Sequence, residues 1–166
     1  MKKKLHLILL VLILLACSYS LFRPLFFRIH DYSQGARIAE MALALKDGHF
    51  PVRWSKNFGF GLGMPLFNFY APLPYYVTGF LNLLGLDLLN CLRLLFFIPN
   101  LVTLIGAYLL GKKIFNSSIG IVVSASITLA PYRAVDLFVR GAISELWALM
   151  FLPLLRRMRH KYNVKS

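Results

Sequence analysis

The sequence predicts an all-α protein, a polytopic transmembrane helical bundle. Three observations carry that prediction: repeated apolar runs near bilayer length, few charges, and basic clusters that abut the runs. Apolar residues make up 58% of the chain and charged residues 15%, with a mean hydropathy of +0.67. Long apolar runs in such a composition point to membrane rather than to a soluble core. The net charge of +13 would suggest nucleic acid in a soluble protein. Here the cations cluster at Lys2, Lys3 and Lys4, at Lys112 and Lys113, and at Arg156, Arg157, Arg159, Lys161 and Lys165. Each cluster flanks an apolar run, as cytoplasmic ends do under the positive-inside rule. No basic face is interleaved with stacking aromatics, so nucleic acid is not an expected partner.

Residues 1–22 form the first expected transmembrane helix. Met-Lys-Lys-Lys followed by LHLILLVLILLACS resembles a signal anchor, with a charged end before an apolar stretch. Leu14-Leu15-Ala16-Cys17 also resembles a lipobox, which leaves a lipoprotein lipidated at Cys17 as an alternative. Residues 23–65 are expected as an extracytoplasmic loop. Within it, residues 33–47 predict an amphipathic helix, because Ile38, Met41, Ala42 and Leu45 recur at i, i+3, i+4 and i+7. Gly48 is placed to stop that helix, and its amphipathicity suits a membrane surface. The stretch NFGFGLGMP lacks the Lys and Ser/Thr of a phosphate loop and predicts a tight turn or hinge.

Residues 66–155 are expected to be a hydrophobic helical membrane region, and residues 156–166 a basic cytoplasmic tail. Leu66 to Leu89 is broken by Pro72 and Pro74. Counted as a span it places Lys112 and Lys113 outside, whereas a re-entrant or surface-lying reading brings every basic cluster to the cytoplasm. Leu94 to Gly111 carries an irregularity at Pro99-Asn100, and Ile114 to Ala130 is rich in the small residues of packed membrane helices. The exposed-looking aromatics Trp54, Phe67, Phe69, Tyr70, Tyr75 and Tyr76 suit a membrane–water belt. Two cysteines and four scattered histidines make neither a disulfide framework nor a familiar zinc site.

The charges within apolar sequence are the candidate functional groups, since ionisable residues at membrane depth are costly and mark interiors or aqueous paths. Arg133, Asp136 and Arg140 stand at i, i+3 and i+7, so an α-helix puts them on one face with Asp136 able to pair with both arginines. Glu145 follows in apolar surroundings. Asp31, the first acid in the chain, either caps a helix near Ser33 or acts as a functional carboxylate beside His30.

The order of several blocks resembles a known family. His30-Asp31 is followed by Lys46-Asp47-Gly48-His49-Phe50-Pro51-Val52-Arg53-Trp54, then by Gly59-Phe60-Gly61-Leu62-Gly63-Met64-Pro65 and Phe69-Tyr70-Ala71-Pro72-Leu73-Pro74-Tyr75-Tyr76. Pro131-Tyr132-Arg133, Arg140-Gly141-Ala142 and Glu145 complete the series. This order resembles the 6-pyruvoyl-tetrahydropterin synthase-related polytopic membrane proteins, and distantly the GT-C glycosyltransferases that use polyprenyl-phosphate sugars.

The resemblance implies the N-terminal part of a GT-C-like fold, multi-pass in the inner (plasma) membrane, with short surface helices in its first extracytoplasmic loop. It implies transfer of a sugar from a polyprenyl-phosphate donor to an extracytoplasmic acceptor, with the bilayer and the lipid-linked sugar as partners. Asp31 takes the place of the family's catalytic acid, as base or as contact to a divalent metal ion, and which of the two stays open. His30, Arg53, Arg133, Arg140 and Glu145 are the implied substrate-binding residues. GT-C-like proteins have many more spans, so the chain is expected to be a fragment or a truncated product. A non-catalytic scaffold or transport-associated subunit is the alternative.

Overall fold

The computed structural model describes residues 2–23 and 29–163, so residues 24–28 of the expected loop and 164–166 of the expected tail lie outside the described residues. Among the described residues the secondary structure is helical, with a single isolated antiparallel bridge between Ser55 and Met64. The chain divides into two compact units, one comprising Ile29–Leu95 and the other Met1–Arg28 with Phe96–Ser166.

The first of these units is built on α2 (Gln34–Lys46), α3 (Leu66–Phe69) and α4 (Leu73–Leu83). The predicted apolar stripe is real for most of its length: Ile38, Met41 and Ala42 are buried, and Leu45 is half-buried. It faces α4, however, and is covered by protein rather than left for a membrane surface. The approach is close because α4 offers Gly79, where an added Cβ would lie 2.9 Å from Met41 Cγ and 3.2 Å from Ala42 N. Burying Ile38 and Met41 in this contact contributes about 1.5–3 kcal/mol each. Gly48 ends α2 as predicted. At φ +82 it lets its own N–H reach Leu45 O and the His49 N–H reach Ala44 O, both at 3.0 Å, a Schellman closure that satisfies terminal carbonyls. Gly85 closes α4 in the same way through Asn82 O and Leu81 O.

The segment 66–89 is therefore not one helix. Pro72 and Pro74 restrict their neighbours and remove donors, so α3 stops and α4 starts afresh at Leu73 with Pro74 in its first turn. At a rise of about 1.5 Å per residue, α4 reaches roughly half of the ~30 Å hydrocarbon thickness.

The other unit contains α1 (Lys2–Ser18), extended by a 3₁₀ turn over Tyr19–Phe22, and most of α5 (Leu88–Ile114). α6 (Ser117–Thr128), α7 (Pro131–Val135), a π-helical turn over Asp136–Arg140, α8 (Ile143–Leu149) and α9 (Leu152–Asn163) follow. Two helices are long and apolar enough to cross a membrane, Lys3–Phe22 and Leu88–Ile114. A third candidate, Ser117–Thr128 with Pro131–Arg140, is bent by 44°. The first helix leaves Leu5, Leu7, Ile8, Val11, Leu12 and Leu15 exposed, the outward apolar face that lipid would cover. The Pro99-Asn100 irregularity expected from sequence is absorbed inside a continuous α5, where Asn100 Nδ2 donates to Cys17 O and Ser18 Oγ at 3.4 and 3.3 Å. Asn116, unremarked in the sequence, caps α6 by accepting from Ser118 N and Ile119 N at 3.0 Å. α6 then approaches α5 backbone to backbone: a Cβ on Gly120 would lie 2.9 Å from Tyr108 O.

Candidate functional site

Asp31 precedes α2 and is held by short-range and long-range donors together. Its Oδ1 accepts from Ser33 N at 3.2 Å and Ser33 Oγ at 2.6 Å, an Asx-type turn that leads into the helix. Its Oδ2 accepts from Gln34 Nε2 at 3.0 Å, Arg37 Nη1 at 2.7 Å and Tyr70 Oη at 3.2 Å. Arg37 lies across the Tyr70 ring, 3.9 Å from its centre, a desolvated cation–π contact. Tyr75 Oη donates to Gln34 Oε1 at 2.6 Å and closes the network. Burial pushes the Asp31 carboxyl up, but the hydrogen bonds from Ser33 and Arg37 outweigh it and hold the group below its ordinary value. The side chain remains 25% exposed. The result is an ionised, oriented carboxylate with one edge open to solvent.

His30 is exposed and joins no hydrogen bond among the described residues. Arg53 is exposed too, and lines a cleft of about 370 Å³ with His49, Trp54, Lys56, Asp47 and Glu40. Lys56 pairs with Asp47 at 2.7 Å, whereas the Arg53 guanidinium has no ion-pair partner among the described residues. Glu40, off the apolar stripe, is nonetheless buried. Its carboxylate accepts from Ser55 Oγ at 2.7 Å, Asn57 N at 3.2 Å and Asn57 Nδ2 at 2.5 Å. Burial raises the Glu40 carboxyl, and these hydrogen bonds bring it net below its usual value. Among the expected belt aromatics, Trp54 and Phe69 are exposed, but Phe67 and Tyr75 are core residues.

In the other unit, Arg133, Asp136 and Arg140 do not share the arrangement that α-helical spacing predicts. Arg140 Nη1 reaches Asp136 Oδ1 at 2.5 Å and Glu145 Oε2 at 3.2 Å. Arg133 turns elsewhere, with Nη2 within 3.4 Å of Pro99 O and 3.3 Å of Asn100 Oδ1. No Arg133–Asp136 ion pair forms among the described residues. From Arg133 to Asp136 the backbone is α-helical, and the pair is lost because Arg133 is drawn instead to the α5 acceptors Pro99 O and Asn100 Oδ1. The π-helical turn follows, over Asp136–Arg140, and ends with Gly141, at φ +68, donating to Asp136 O. Tyr132 Oη donates a hydrogen bond to Glu145 Oε1. Asp136 is fully buried, and its Oδ2 has no hydrogen-bond partner among the described residues.

A divalent ion does not fit Asp31. Both carboxylate oxygens already accept from protein donors, one of them the Arg37 cation, and among the described residues no three His, Cys, Asp or Glu side chains converge. Hard divalent cations need several oxygen ligands. Asp31 is set up to accept hydrogen bonds rather than to ligate metal. Sequence reasoning missed Arg37, Gln34 and Tyr70 as its partners. Only Ser33 and Gln34 carried a local signal, as polar residues at a helix start. Comparison of the chain with protein-family models, with curated proteins and with solved structures finds no match.

Proposed function

We propose that the chain belongs to a multi-pass plasma-membrane protein that supports sugar transfer from a polyprenyl-phosphate donor, with Asp31 orienting the acceptor. The observation that carries the reading is the state of Asp31: ionised, fixed by five hydrogen bonds, and open on one edge. A lowered pKa makes a carboxylate a weak base. Asp31 therefore serves as an acceptor that aligns an incoming hydroxyl, replacing the longer Tyr70 hydrogen bond. The hydroxyl oxygen then bonds to the anomeric carbon as the bond from that carbon to phosphate breaks, and the hydroxyl proton leaves with the departing phosphate. The exposed Arg53 offers charge to the departing phosphate. Arg133, Arg140 and Glu145 act within their own unit, as structural charges rather than substrate contacts.

Two span-length helices, with the 66–89 segment broken, support a count in which residues 29–87 lie outside and Lys112-Lys113 inside. A specific observation also favours a non-catalytic reading: the Asp31 oxygens are already saturated by protein donors, so the network also suits a staple between α2 and α4. One experiment separates the two. The chain is reconstituted with a polyprenyl-phosphate sugar and a hydroxyl acceptor, and Asp31→Asn is compared with wild type for product and for unfolding midpoint. Lost transfer at a nearly preserved midpoint supports the orienting role. Retained transfer with a lowered midpoint leaves Asp31 a staple, and no transfer by the wild-type chain overturns the catalytic reading.

A further inference from the structure

The turn at residues 58–63 presents an apolar tip on a rigid base. Ser55 and Met64 exchange N–H···O hydrogen bonds at 2.9 Å in both directions, and Gly63 N donates to Phe58 O at 2.8 Å. The base is tied to α2 through the Ser55 hydroxyl on Glu40. Trp54 braces the turn from the side: an added Cβ on Gly63 would collide with its indole ring. Beyond this base the chain turns through Gly59 at φ +63, Phe60 at +59 and Gly61 at +85. A bulky residue in the left-handed region costs about 1–2 kcal/mol, and such strain persists where the surrounding structure holds it for use. Here it throws Phe60 wholly into the open, with Leu62 86% exposed.

The groups are layered from tip to base. Phe60 and Leu62 stand at the end, the half-exposed Trp54 beside the base, and the exposed Arg53 and Lys56 on either side of the bridging Ser55, Lys56 paired with Asp47 at 2.7 Å. Apolar side chains, then an amphipathic indole, then cations is the order in which a bilayer offers acyl chains, interface and anionic phosphates. We infer that this turn is a membrane wedge, which inserts Phe60 and Leu62 into an anionic bilayer surface and docks the Ile29–Leu95 unit on it. Arg53, which has no ion-pair partner among the described residues, selects lipid over an apolar protein partner, because a protein groove has no need of a phosphate layer. The wedge depends on the chain's membrane location and not on sugar transfer, so the two proposals fail separately.

The full chain in vesicles of phosphatidylcholine and phosphatidylglycerol tests it. Trp147→Phe leaves Trp54 as the one reporter, since the chain has two tryptophans. Trp54 emission should shift to the blue and be quenched when the acyl chains are brominated. Phe60→Gly relieves the backbone strain, so its unfolding midpoint should match or exceed wild type while the lipid quenching falls. A nitroxide on Phe60→Cys gives a second reading: easy access to dissolved oxygen and poor access to a water-soluble nickel complex supports insertion. Access to nickel, shielding from both agents, or undiminished quenching in Phe60→Gly overturns the wedge.

Discussion

Asp31 shows how a residue that looks ambiguous in sequence acquires a definite state. Its local partner Ser33 could be anticipated from turn chemistry and Arg37 comes from the start of α2, while Tyr70 and Tyr75 arrive only because the 66–83 segment packs against α2. Arg37 is the most sensitive member. Its side chain is 12% exposed, and its guanidinium contacts Asp31 at 2.7 Å and covers the Tyr70 ring. Arg37→Ala should lower stability by about 1.5–3 kcal/mol, the range of a hydrogen bond to a charged group, read as a shift in denaturant midpoint in detergent micelles. Asp31 and Glu40 are both held below their ordinary values, so each binds more protons unfolded than folded in acid. Their stabilisation is complete above the unfolded values, about 3.9 and 4.3, and is lost as pH falls through the lower folded ones. The unfolding midpoint should decline on acidification below about pH 4, and Asp31→Asn should flatten that decline. A wild-type midpoint independent of pH across this range would contradict the network.

Helix ends and apolar stripes were the most legible elements. The i, i+3, i+4 stripe of Ile38, Met41 and Ala42 and the stop at Gly48 are local patterns, and both are present. The proline breaks after Phe69 were visible for the same reason. The failures are all matters of which distant surface meets which. Phe67 and Tyr75 read as belt aromatics because composition shows that a residue is aromatic, not which way it faces. Glu40 gave no signal of its burial, because Ser55 and Asn57, which bind its carboxylate, lie far along the chain. The Arg133–Asp136 pair failed in the same way: the spacing between them is α-helical, but Arg133 finds its acceptors at Pro99 and Asn100, far back along the chain. Two glycines test the element contacts. Gly48→Ala meets no atom within 4 Å, so its cost is the left-handed backbone alone, about 1–2 kcal/mol. Gly120→Val adds bulk against the α5 backbone and should cost about 1–3 kcal/mol, separating α6 from α5. Thermal melts of the two variants check both values.

For the molecule as a whole, composition and charge placement alone are enough to expect membrane helices, and two helices of spanning length are present. Which segments cross was less legible, because 66–89 has the apolarity of a span without being one helix. In the proposed topology, with that segment broken, Lys3–Phe22 and Leu88–Ile114 form an outward and a return crossing, and Asp31 lies between them along the chain. Tyr32 is 75% exposed beside Asp31, which makes it a suitable reporter of where the carboxylate lies. Labelling Tyr32→Cys with a membrane-impermeant maleimide in intact cells, beside Lys113→Cys, tests this placement most directly. The placement predicts that position 32 labels without permeabilisation and position 113 only after it; labelling of position 32 only after permeabilisation would contradict it.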